Sequence, residues 1–466
     1  MSIRVDLSLE DKRIPDAKAI FTTIWVLAIP AVVDNFFQTV IGFVDTLFVS
    51  RIGLAAVSAV GVSNAILAIY FAVFMSLGVA ANVLIARSVG AGNLKKAGHI
   101  AQQALALAVV LGIVFGVISL LWAEFLLMLM GVEPKVLDTG VIYFQIVAIP
   151  SVFISLMFTL SSIQRGTGDT RSPMKVSVLI NLMNIVLDYL LIFGFAFIPP
   201  LGLRGAAYAT VISRMAGSLG LLGYFLNNKQ LVLEKTGWCL DKNIQTRLIY
   251  LGSPAAAERL VMRVGQVLYF GLIISLGTST FAAHSIAGNI EIFSYMIGVG
   301  FAAAATTLVG QSLGAGNIPL ARRYAVMTMA VSAVLMSVVG FFLYLFSSFI
   351  GGLFTQDPQV IQQIGIALKV GAFIKPVLAV VLVMTGIHQA AENTRLPMVV
   401  TAIGIWLIRT TFVYWLGIEL GWGILGINIA IALDNAFRAV ALSVSYRRGG
   451  WLRYSKVESL ENPAVA

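Results

Sequence analysis

Inside an apolar run from about Val176 to Phe197 sit three polar residues, Asn181, Asn184 and Asp188. Spacings of three, four and seven put both amides and the carboxylate on one helical face. A run of that length spans a bilayer, and a carboxylate at that depth costs roughly 2.5–3.5 kcal/mol on insertion scales. Such a group is retained for a partner or a task, and the chemistry in its reach is cation binding, with the proton first. Asp45, in the first apolar stretch, is a second acid of this kind. Two carboxylates in poorly hydrated surroundings resist double ionisation, so one is expected to hold a proton. Each proton entering down 100 mV supplies about 2.3 kcal/mol. The alternative is a polar network that only fixes helix packing. Asp34 lies eleven residues before Asp45, three turns with about 20° of rotation and hence on the same face. It follows Pro30, which loosens a helix, by four residues. It could extend a proton path, meet a cationic substrate, or pair with an arginine of a facing lobe.

The chain around these residues is 59% hydrophobic and 11% charged over 466 residues, with mean hydropathy +0.93. Soluble domains carry about a quarter charged residues, so this is a polytopic helical membrane protein. Twelve spans fit, at about 19–50, 54–86, 101–130, 138–164, 174–197, 201–226, 248–275, 280–311, 324–352, 360–389, 396–419 and 422–446. The net charge of +10 is not a nucleic-acid signature here, because its placement is lopsided. Thirteen basic residues, from Arg87 to Arg395, fall in even-numbered loops, and only Arg51, Lys135 and Arg204 in odd ones. That places both termini in the cytoplasm. The charged lead-in (Arg4, Asp6, Glu10, Asp11, Lys12, Arg13) reads as cytoplasmic sequence before an uncleaved span rather than a signal peptide. The lone Cys239 excludes an intrachain disulfide.

An offset of 224 aligns the chain with itself. Ala81–Asn93 and Ala305–Asn317 share seven of thirteen residues, Pro30 pairs with Pro254, and Asp34 with Glu258. Six spans per repeat give both halves one orientation, so they should be related by a pseudo-twofold axis along the membrane normal. The expected organisation is an N-lobe (1–226), a cytoplasmic linker (227–247) and a C-lobe (248–466). The repeated Gly-Ala-Gly-Asn could suggest a phosphate cradle, but the lysine-serine pair that motif needs is missing. A tight turn at the membrane edge is the expected structure.

With these features the sequence resembles the MATE (multidrug and toxic compound extrusion) family. The carriers are Val44-Asp45-Thr46, Ser88–Asn93 and its repeat, Arg165-Gly-Thr-Gly-Asp169-Thr-Arg171, Asn184–Asp188 and Gly205–Thr210. The resemblance implies two six-helix lobes and cation-coupled antiport of amphipathic organic compounds. Its DinF-like, archaeal-type branch takes up the coupling ion at an acidic N-lobe site. Carried over, that site comprises Asp45, Asp188, Asn184 and Thr210, with Asn181 beside it. Ser161 stands where the family has an asparagine, a weaker hydrogen-bonding group. NorM-like members place acids in the seventh and tenth spans, where this chain has Met262-Arg263 and Lys375-Pro376. A sodium site of that kind is not expected.

The second half lacks the stripe: Asn181, Asn184 and Asp188 fall on Ile405, Ile408 and Phe412, and Asp45 on Tyr269. It carries Glu258, Arg259, Arg263, Glu291, Lys369, Lys375, Arg409 and Asp434 instead, with internal pairing as the main expectation. Phe37, Tyr143, Glu258, Arg263 and Lys375 are candidates for a substrate or proton path beside Asp34. The expected function is proton-coupled export of amphipathic compounds by alternating access, with sodium as the other coupling ion. Expected with it are no cofactor, no metal site, no nucleic-acid partner, a monomer, and an inner-membrane location. A lipid-linked oligosaccharide flippase is the second reading. A membrane-embedded transferase is the third, and the absence of a nucleophile-base constellation counts against any enzyme.

Overall fold

The structure, a computed structural model, describes residues 15–195 and 199–452. The charged residues from Arg4 to Arg13 lie outside them. The described chain is helical: α1 (Ala17–Ser50), α2 (Leu54–Gly90), α3 (Leu94–Leu129), α4 (Pro134–Ala148), α5 (Ser151–Gly166), α6 (Arg171–Phe193) and α7 (Leu203–Leu226) form the first half. The second half contains α8 (Lys242–Ile274), α9 (Thr278–Gly314), α10 (Ile318–Leu345), the short α11 (Ser347–Gly352) and α12 (Pro358–Ala390). It ends with α13 (Arg395–Ala402), α14 (Thr410–Phe412) and α15 (Gly423–Arg447). π-helical stretches at Ile403–Arg409 and Val413–Glu419 join α13 and α14 into one span.

Ten of these spans are long and apolar enough to cross a membrane, and the bent pair α4–α5 makes an eleventh. The twelfth expected span, α8, is long enough but carries Glu258, Arg259 and Arg263 near its middle. Its polar character is a property of this half's chemistry, described below. The outward faces remain apolar, as lipid contact requires: Val110, Ile113, Val114, Val117 and Leu121 of α3 are all exposed.

Close packing rests on small residues, because lipid leaves helices little hydrophobic reason to associate. The break between α4 and α5 bends the span by 45° at Pro150, which lacks a backbone N–H. Gly112 and Gly116 of α3, one turn apart, receive the bend. A Cβ at Gly112 would lie 2.5 Å from the Val152 Cα, and one at Gly116 2.4 Å from the Ile149 carbonyl oxygen.

The internal repeat reaches backbone detail. Asn93 and Asn317 cap α3 and α10, accepting from the Lys96 and Leu320 amides at 2.9 and 3.0 Å. Gly92 and Gly316 both have φ +71°, a region that favours glycine. The Asn93 and Asn317 amides donate to Ser88 and Ser312 at 2.9 Å each. This is the helix-ending turn expected of the motif, built twice. In a second pair of turns Gly168 (φ +89°) corresponds to Glu392 (φ +63°).

Two compact units emerge. One holds Val33–Ala256; the other groups the described residues up to Val32 with those from Ala257 onward. Both boundaries fall inside a continuous helix, two residues after Pro30 and Pro254. The reason is packing: Ile20, Ile24, Leu27 and Ala28 of α1 are buried with Phe301, Leu308 and Met384. Leu248 and Leu251 of α8 are buried with Leu77, Leu84 and Ile163. The polar segment at 227–247 is held on α3 by Gln102, which donates to the Glu234 carbonyl at 2.9 Å, and Gln103, which donates to Gly237 and Cys239 at 2.9 and 2.7 Å.

Candidate functional site

On α6 the stripe is buried where it matters, with Asn184 5% and Asp188 1% exposed. α1 brings Asp45 to it, and the two carboxyl groups lie within hydrogen-bonding range. Even so, Asp45 Oδ1 and both Asp188 oxygens find no donor, and neither does the Asn184 Nδ2 find an acceptor. The two observations agree once protonation is considered. Ionised carboxylates only accept, so their contact becomes a hydrogen bond when one of them carries a proton. Two ionised groups about 4 Å apart would repel by about 4 kcal/mol at an effective dielectric of 20. One proton shared by the two groups would remove that repulsion.

Tyr143 of α4, 6% exposed, and Arg214 of α7 lie within electrostatic reach of this pair. The Arg214 guanidinium stands 5.5 Å from the Phe71 ring centroid. Its Nη1 is buried without a protein acceptor. Other expected members of the site turn elsewhere. The Thr210 hydroxyl donates to the Ala206 carbonyl of its own helix at 3.0 Å. The Asn181 amide donates to Ser177 Oγ, one turn earlier, at 3.3 Å. Ser161 is half-buried on α5.

Asp34, 3% exposed, accepts from Arg165 Nη2 at 3.1 Å and Gln38 Nε2 at 2.9 Å. The expectation of an arginine from a facing lobe is corrected, since Arg165 ends α5 of the same unit. Phe37, half-buried beside it, meets Phe36 edge-on at 6.2 Å.

In the other unit several of the charges pair internally. Lys375, 2% exposed, meets Glu291 at 3.3 Å. Asp434, fully buried, takes Arg409 Nη2 at 2.5 Å and Arg438 Nε at 2.9 Å. Arg409 also sits 5.3 Å from the Tyr269 ring centroid. Glu258 accepts from Thr401 Oγ1 at 3.1 Å. Arg263 is exposed and reaches Gln266 at 3.3 Å. The irregular backbone at Ile403–Arg409 positions Arg409 for Asp434. Gly404 leaves the room, because a Cβ there would stand 2.1 Å from Asp434 Oδ1.

Two members escaped the sequence reading, Arg214 and Arg438. Each lies four residues after a polar residue on its helix, Thr210 and Asp434. That i, i+4 spacing was the available signal.

A MatE family profile matches residues 30–190 and 254–415, once in each half. A probable multidrug resistance protein NorM of Thermotoga maritima is 31% identical over 426 residues, covering 91% of this chain and 92% of that protein. The multidrug resistance protein PmpM of Pseudomonas aeruginosa is 27% identical over 401 residues, covering 84% and 83%. Among solved structures, the outward-facing conformation of a multidrug resistance MATE family transporter of the MOP superfamily superposes with a TM-score of 0.86. It is 23% identical and covers 94% of this chain and 96% of that one.

Proposed function

The chain belongs to the MatE family, and from that premise we propose that it is a proton-coupled antiporter exporting amphipathic organic compounds. It is a multi-pass membrane transporter and not an enzyme. We place it in the plasma membrane as a monomer, with both termini in the cytoplasm on the basis of its basic loops. The observation that carries proton coupling is the Asp45–Asp188 contact, two acceptor groups that one proton converts into a hydrogen bond.

In this reading, a proton taken up from outside is shared by the two carboxyls, removing one buried negative charge. Asn184, buried with a free amide donor, can hydrogen-bond the remaining carboxylate. The α1 helix carries Asp45 and passes from one unit to the other just after Pro30. A change at the pair therefore acts on a helix with a loosened backbone. Substrate leaves on protonation, and the proton is later released to the cytoplasm.

The experiment is efflux in proteoliposomes driven by an imposed pH gradient, with and without sodium. Asp188→Asn, which cannot ionise, should abolish pH-driven efflux while the protein stays folded by circular dichroism and gel filtration. Full transport by that variant removes the acid pair from the mechanism. The flippase alternative rested on cations able to hold a pyrophosphate, yet Lys375 and Arg409 are each taken by an acid. Transport of a small dye with proton counterflow would argue against it directly.

A further inference from the structure

Among the described residues Arg214 is the cation placed at the acid pair, and the coupling step described above makes no use of it. The groups that face one another there come from five helices: Asp45 from α1, Tyr143 from α4, Asp188 and Asn184 from α6, Arg214 from α7, and the uncharged Phe71 from α2. Three carboxylate oxygens lack a donor, while two nitrogens, Asn184 Nδ2 and Arg214 Nη1, lack an acceptor. The guanidinium is anchored by the Phe71 ring at 5.5 Å, so its charge stays at the site. Arginine remains cationic at any physiological pH.

We propose that Arg214 sets the ion selectivity of the pair: its tethered N–H donors take the space where a metal cation would need oxygen ligands, and leave the carboxyls a single proton to carry. The inference rests on the reading that Asp45 and Asp188 bind the coupling ion. A hard cation needs several oxygen ligands around it. A guanidinium has five N–H donors and no acceptor, so it repels such an ion and cannot coordinate it. A proton requires only one carboxyl oxygen and gains a second acceptor in the facing acid. Even at about 10 Å, a like charge at an effective dielectric near 20 weakens binding of any monovalent cation, the proton included, by about 15-fold, so the discrimination against metal ions comes from the missing oxygen ligands. The carboxylate not holding the proton keeps the guanidinium as its counter-charge.

Sodium binding to the purified protein is measured by isothermal titration with NaCl against choline chloride at constant ionic strength and pH 8. Arg214→Met should bind sodium at least about ten-fold tighter than wild type. Arg214→Gln, which brings an amide oxygen in place of the charge, should do the same, and Arg214→Lys should restore exclusion. A merely structural arginine would leave sodium affinity unmoved in the folded variants. Equal sodium affinity in wild type and Arg214→Gln overturns the proposal, as does tight sodium binding by the wild type. Proteoliposome efflux of ethidium separates the underlying reading. Wild type without pH-driven efflux, but with the sodium shift intact, removes proton coupling and leaves the exclusion of metal cations by Arg214 standing.

Discussion

Replacing Asp434 by asparagine removes one charge and almost no volume from a fully buried site. Its Oδ2 accepts from Arg409 Nη2 at 2.5 Å and from Arg438 Nη2 at 3.1 Å. The two guanidinium nitrogens are therefore no further apart than those bonds added, about 5.6 Å. Without the carboxylate, two like charges at that separation repel by about 3 kcal/mol at an effective dielectric of 20. Breaking a buried ion pair typically costs about 3–5 kcal/mol, which agrees. Each kcal/mol lowers the melting midpoint of a unit of this size by about 2–4 °C, so a drop of roughly 6–12 °C is expected. The assay is tryptophan fluorescence during heating in detergent at one fixed scan rate, because unfolding of such proteins is commonly irreversible. Adding Arg409→Met to Asp434→Asn should recover most of the loss, since one cation then remains with Asn435 Oδ1 at 3.2 Å from Arg438. A midpoint within 1 °C of wild type (about the limit of a resolvable shift) refutes the view that this triad is structural. An altered substrate KM with unchanged stability would point instead to a charge lining the transport path.

Other outcomes follow from the same geometry. Gly116→Ala should destabilise by about 1–3 kcal/mol, because the new Cβ meets a backbone oxygen that cannot swing aside; equilibrium unfolding midpoints in mixed micelles would check it. The N-terminal end of α8 offers a pH test. Asp241 accepts from the Asn243 and Ile244 amides at 2.9 and 3.4 Å and contacts His99 at 3.2 Å. The hydrogen bond with His99, aided by those amides, holds its carboxyl below the usual carboxylate range. Its contribution to holding α8 is thus complete above the unfolded carboxylate value near 4 and fades as pH falls through the lower folded value. Hydrogen exchange at Asn243 and Ile244 should accelerate below about pH 4 in wild type and be fast throughout in Asp241→Ala.

Much of the architecture was legible because span length, apolar composition and proline placement are local properties. The twelve helical segments, the paired turns at Asn93 and Asn317 and the absence of the acid stripe from the second half follow from residues read in order. Asp45 and Asp188 could be expected to meet because an isolated carboxylate in an apolar helix is costly. Their nearest cation could not, since Arg214 becomes their neighbour only through the rotation of α7 against α1 and α6. The same holds for Asp34, whose partner Arg165 lies 131 positions away, and for Thr210 and Asn181, whose side chains bond within their own helices. The exchange of the first turns of α1 and α8 between units also escaped the linear reading, because it depends on which apolar faces fit together.

The sequence by itself determined that an acid pair would exist, and in which half, because burial makes unpaired carboxylates too expensive to keep without use. Only the tertiary structure decided that a guanidinium stands beside that pair, while every acid of the charge-rich second half described above finds a cation or a hydroxyl. Charge is written in the sequence, but its partner is chosen by the packing of helices.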